Sequence, residues 1–144
     1  MFAKFIYTSF PIVIVKFSRD IENTEDFDDF LKKWIELYEN KKDFIFVFDA
    51  TQVGYPSVKY CIRMSMFIKK LRKEKIHYLK KSIIIVKNNR VKNLLNFTFY
   101  LQPPVATVYL TKDSLSKVLA NIYNIKNINV DKTIFPGKPF IPIL

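Results

Sequence analysis

The sequence predicts an α/β fold, a mixed and mostly parallel sheet of about five strands with helices packed on it. Two apolar runs, Phe44–Phe48 and Ser82–Val86, lack the alternation of a half-wet strand and suit strands covered on both faces. Segments with helical spacing separate the strand-like ones, and the elements follow in the order β-β-α-β-α-β-α-β-α. There is no internal repeat and no interior linker.

Taken in order, Phe2–Tyr7 and Ile12–Phe17 are β-rich and joined by Thr8-Ser9-Phe10-Pro11, a strand-turn-strand signal. Thr8, Ser9 and Pro11 also break any signal-peptide pattern, so Met1–Phe17 is expected to stay in the mature protein. Asn23 or Thr24 can cap a first helix with an acidic first turn, and Phe27, Phe30, Leu31, Trp34, Leu37 and Tyr38 form its apolar stripe. The run Phe44–Phe48 then ends in Asp49, and a loop containing Gly54 leads to Pro56-Ser57 and a second helix reaching about Lys75. After Ser82–Val86, Asn88-Asn89 caps a third helix that Pro103-Pro104 stops. Val105–Leu110 is the last expected strand, and Lys112–Tyr123 the last helix. A single domain over 1–126 is therefore expected, followed at 127–144 by an extended apolar tail with Pro136, Pro139 and Pro142.

Composition narrows the chemistry. With 144 residues and 49% apolar content, one domain can build its core without disulfide or metal staples. One Cys and one His exclude the standard Cys/His zinc sites, and two Gly cannot build a phosphate-binding glycine loop. No metal and no cofactor is expected. His77 has no nucleophile placed with it by any motif, and Cys61 falls on an apolar helix arc, so the chain reads as non-enzymatic. The longest apolar runs fall far short of the ~20 residues of a spanning helix. The expected location is cytoplasmic, peripheral at membranes if the basic face is used.

Charge is segregated. Twelve basic residues and one acid, Glu74, lie between Lys59 and Lys92, so that segment alone equals the net charge of +11. Nine of the 13 acids lie between Asp20 and Asp43. A basic surface of this kind attracts anionic membranes, nucleic acid or acidic proteins, or it simply solvates helices in a lysine-rich chain. Nucleic acid is disfavoured, because four arginines and no aromatic-basic strand motif offer no readout surface.

Projected at helical spacing, Tyr60, Cys61, Met64, Phe67, Ile68 and Leu71 share the sheet-facing arc of the second helix. Lys59, Arg63, Lys69, Lys70 and Lys73 lie opposite, with Arg72 and Lys75 extending the basic run as an anion-attracting surface. Ile62 and Met66 sit among those lysines. Either another element covers them, or they belong to a contact surface for a membrane or a protein groove. Asp49 ends a buried strand where α/β sheets present ligands, or it hydrogen-bonds the loop that follows.

The strand ending in Asp49, the element order and the segment Asn88-Asn89-Arg90-Val91-Lys92-Asn93-Leu94-Leu95 resemble the STAS domain of anti-sigma-factor antagonists and sulfate transporters. The resemblance spans roughly Ile12 to Ile122 and rests mainly on apolar spacing. It implies a regulatory module that contacts a protein partner through the loop before helix two and helix two itself, with Asp49, Thr51, Ser57, Ile62 and Met66 as contact residues. Kinase-regulated members carry Asp-Ser-Ser-Gly before helix two. Here Thr51–Val58 stands in that place, and Ser57 lacks the aspartate and glycine neighbours, which leaves it the reading of a helix cap. His77-Tyr78-Leu79-Lys80-Lys81 before a strand, and Pro103-Pro104 after a helix, are similar to the lipid-carrying CRAL-TRIO domain. That likeness implies a lipid-binding protein, peripheral at membranes through the basic segment 59–92, in trimmed form. An apolar cavity of several hundred Å³ under helices two and three favours lipid carriage; a filled core favours protein interaction.

Overall fold

Each parallel step across the sheet is made through one helix, and the strands stand side by side in chain order. The computed structural model describes residues 2–54 and 56–137. Strands β1 (Ala3–Ile6) and β2 (Ile12–Phe17) pair antiparallel, with Ala3 opposite Phe17. Helix α1 (Thr24–Glu39) carries the chain to β3 (Phe44–Asp49), α2 (Val58–Leu71) to β4 (Leu79–Ile85), and α3 (Asn89–Leu101) to β5 (Thr107–Thr111). The β2–β3, β3–β4 and β4–β5 pairings are all parallel. Right-handed crossovers that always step the same way put all three helices on one face. The short α4 (Leu115–Ala120) covers the other, and β6 (Val130–Ile134) closes the sheet antiparallel to β5.

The two inner apolar runs behave as their composition demands. Phe44, Phe46 and Phe48 point into a large cluster with Phe30, Trp34 and Phe67 from the helical layer. Ile45 and Val47 point the other way, with Ile83, Ile85, Val118 and Ile122. The aromatic side is closely interleaved: Trp34 meets Phe46 edge-on at 4.9 Å and Phe67 at 5.2 Å between ring centroids.

The α/β class and the mixed sheet agree with expectation, but the sheet has six strands rather than about five. The sixth arises within the segment expected to form an extended tail. An edge strand needs one neighbour only, so Val-Asp-Lys-Thr-Ile can pair without the apolar run that marks an inner strand. Its entry is held by Asn129, whose carbonyl accepts from Thr111 Oγ1 at 2.7 Å and whose N–H donates to Asp113 Oδ2 at 2.8 Å. That backbone bond, followed by Lys117, holds the Asp113 carboxyl below its ordinary range. The calls on Pro139 and Pro142 lie outside the described residues. Asn23, Ser57, Asn88 and Ser114 cap α1 to α4 in turn. Helix α2 stops at Leu71, short of the expected Lys75, and Arg72 donates to the carbonyls of Pro103 and Pro104 at 3.3 and 3.2 Å.

Two measurements test this packing. Phe46 has no exposure, so Phe46→Ala should lower unfolding free energy in urea by about 3–5 kcal/mol, whereas Ile62→Ala should change it by less than about 0.5 kcal/mol. Burial pushes the Tyr38 phenol from its ordinary 10.0 up to about 12, with the Glu74 carboxylate adding to the shift and a backbone hydrogen bond at Leu79 opposing it. Its contribution to stability is therefore complete below pH 10.0 and is lost as pH rises through about 12. Ultraviolet titration of phenolate should show a component at about 12 that is absent in Tyr38→Phe.

Candidate functional site

Side chains on the helix-facing side of the sheet shrink from one strand to the next. Strand β3 presents Phe44, Phe46 and Phe48, β4 presents Ser82 and Ile84, and β5 presents Val108 after Ala106. A helical layer that bridges all three strands can fill the first part and leaves room over the rest. The result is a partly open cavity of about 170 Å³ between the sheet and helices α2 and α3. It runs from Ala50 and Val53, beyond the end of β3, to Leu79 and Pro104 at the opposite end of the strands.

Its wall is almost wholly apolar, with Met64 and Ile68 from α2, Leu94 and Leu95 from α3, and Phe48 and Ile84 from the sheet. Cys61 also faces it as a buried free thiol. The few polar atoms are distinctive. Thr98 Oγ1 is satisfied by the Leu94 carbonyl at 2.9 Å. Ser82, only 3% exposed, lines it from β4. Trp34 Nε1 is buried without a partner among the described residues. One unpaired donor thus belongs to a side chain lining an apolar space, and no lysine, arginine, aspartate or glutamate lines it among the described residues. Such a wall suits a neutral apolar molecule bearing an oxygen acceptor, because a buried unpaired polar group costs free energy until a partner arrives.

The expected contact residues are placed as follows. Asp49 accepts from the Thr51 N–H at 3.1 Å and the Thr51 hydroxyl at 2.7 Å, so the two are engaged with each other within the turn. Ser57 caps α2, accepting from the Lys59 N–H at 3.3 Å. The loop is tied further by Gly54, whose N–H donates to Asp20 at 3.0 Å and whose carbonyl accepts from Asn88 at 3.2 Å. The strand order never reverses, so β3 is not at a topological switch point, and Asp49 is not among the residues lining the cavity. Ile62 and Met66, by contrast, are 46% and 59% exposed, and no element among the described residues covers them.

The basic residues divide by type. Lys59, Lys69, Lys70, Lys73 and Lys75 are exposed and make no ion pair among the described residues. Arg63 is paired with Asp28 of α1 and lies 5.0 Å over the Phe27 ring, and Arg72 is held by its two carbonyls. Sequence reasoning missed Phe97, Tyr100 and Leu101, which α3 leaves exposed beside α2. A signal was present for two of them: once Val91, Leu94, Leu95 and Thr98 occupy the core arc, Phe97 and Tyr100 fall off it at a spacing of three, whereas Leu101, seven residues after Leu94, lies at its edge. The cavity had a fainter one, a lone serine opening an otherwise apolar strand run.

Among the described residues no cluster of three or more His, Cys, Asp or Glu could hold a metal, and no helix is long and apolar enough to cross a membrane. Compared with protein-family models, curated proteins and solved structures, the chain matches none.

Ser82→Ala tests whether this hydroxyl serves the cavity or the fold. Removing it should leave the urea midpoint of the ligand-free protein unchanged, where loss of a hydroxyl bonded within the fold would lower stability by about 1 kcal/mol.

Proposed function

We propose that this protein is a non-catalytic lipid-binding module that accepts a single short apolar chain, carrying a neutral oxygen function, in the cavity beneath α2 and α3. One observation carries the reading: an apolar space of about 170 Å³ whose lining includes Ser82 and Trp34, the latter with its Nε1 donor unpartnered among the described residues. The space is smaller than the several hundred Å³ expected of a carrier of whole lipids; a cavity of about 150 Å³ with apolar walls already holds a benzene-sized molecule, so it suits one chain end. The likeness of His77–Lys81 and Pro103-Pro104 to the CRAL-TRIO pattern points the same way. The STAS-type role enlists Asp49, Thr51 and Ser57, whose polar side chains are engaged inside the loop and the α2 cap, which is why the cavity is preferred as the site.

Trp34 is the single tryptophan and lines the cavity, so it reports occupancy. Bromohexanol, a short apolar probe with a heavy quencher, should quench Trp34 emission saturably in the absence of any membrane. Bromohexanoate should bind more weakly, since no cation in the wall compensates its charge. Ser82→Ala should weaken bromohexanol by roughly threefold to tenfold. Ala106→Phe, placed in the wall, should abolish saturation while a cooperative melt shows that the variant folds. Linear, unsaturable quenching of the wild type, or undiminished binding by the folded Ala106→Phe variant, overturns the assignment.

A further inference from the structure

We infer that the outer face of α2 and α3 seats this protein on an anionic membrane surface. The choice of a lipid partner rests on the lipid-binding reading; the surface itself stands on separate observations. Val58, Ile62 and Met66 recur at every fourth position of α2, forming one exposed apolar stripe. Helix α3 packs directly against α2, and the two run in the same direction because each connects parallel strands. It adds Phe97, Leu101 and Tyr100, the last 81% exposed. Six large apolar or aromatic side chains thus face outward from two adjacent helices, on the layer that roofs the cavity.

Charge decides the kind of partner. Lys59, Lys69, Lys70 and Lys73 border the α2 stripe, all exposed and without ion pairs among the described residues. The acids of α1 lie on the next helix, and Asp28 is already paired with Arg63. Protein interfaces are depleted in lysine and favour arginine, whose planar fork gives directional bonds. Here Arg63 and Arg72 are held by partners within the molecule, and the exposed cations bordering the α2 stripe are lysines. Flexible ammonium groups around an apolar patch match a diffuse anionic headgroup layer, with Phe97 and Tyr100 suited to the interfacial zone.

Flotation of the full chain with phosphatidylcholine vesicles, with and without phosphatidylserine, tests this. The protein should float with the phosphatidylserine vesicles at low salt, far less with phosphatidylcholine alone, and less as salt is raised. Ile62→Ser/Met66→Ser should abolish flotation. In Lys69→Gln/Lys70→Gln/Lys73→Gln, each charge removed should weaken partitioning roughly fivefold. Both variants should keep the wild-type urea midpoint and the bromohexanol quenching of Trp34, since neither set lines the cavity. No flotation with anionic vesicles, or undiminished flotation of the folded Ile62/Met66 variant, overturns the proposal. Failure with anionic vesicles would leave a protein as the occupant of this face. Loss of the cavity reading alone would show as absent quenching with flotation intact.

Discussion

Everything in this molecule depends on the parallel pairing of β3 with β4, two strands buried on both faces along Phe44–Phe48 and from Ser82 to Ile85. A parallel pair must be joined by a crossover, and the crossover must run over a face that would otherwise be exposed. Satisfying both demands places α2 above the pair. The same logic repeated at β2–β3 and β4–β5 lays down α1 and α3 beside it, while Ile45, Val47, Ile83 and Ile85 on the opposite face require the separate cover that α4 provides.

The two faces meet that requirement differently. Around β3 the helical side is filled by aromatic rings in edge-on contact, which leaves little freedom to adjust. Toward β5 the sheet offers Ser82, Val108 and Ala106, and the helices above do not close down to meet them. A rigid aromatic block at one end props the layer up over the smaller residues at the other. The cavity is in this sense a consequence of side-chain size along the sheet, and its position under α2 and α3 follows from where the phenylalanines stop.

The inner strands were legible because Phe44–Phe48 and Ser82–Val86 have no polar alternation, and the helices because their caps and stripes agree. Strand β6 was not, since Val130–Ile134 alternates weakly and three downstream prolines suggested an extended chain. Its pairing is a tertiary matter, fixed by Thr111, Asp113 and Asn129, which the linear pattern does not connect. The exposed pair Ile62 and Met66 was visible as a projection, yet whether another element covered it required the packed structure. Asn88 shows the reverse case. Read as a cap, it also donates to Gly54, so one side chain joins the start of α3 to the loop before α2.

The Arg63–Asp28 contact stitches an acidic helix to a basic one, so opposite charges are sorted laterally across a single layer. A molecule sorted in this way has an electric moment lying in the plane of its helices. In the field of an anionic body it experiences a torque before it makes a contact, and it arrives already turned, α2 leading and α1 trailing.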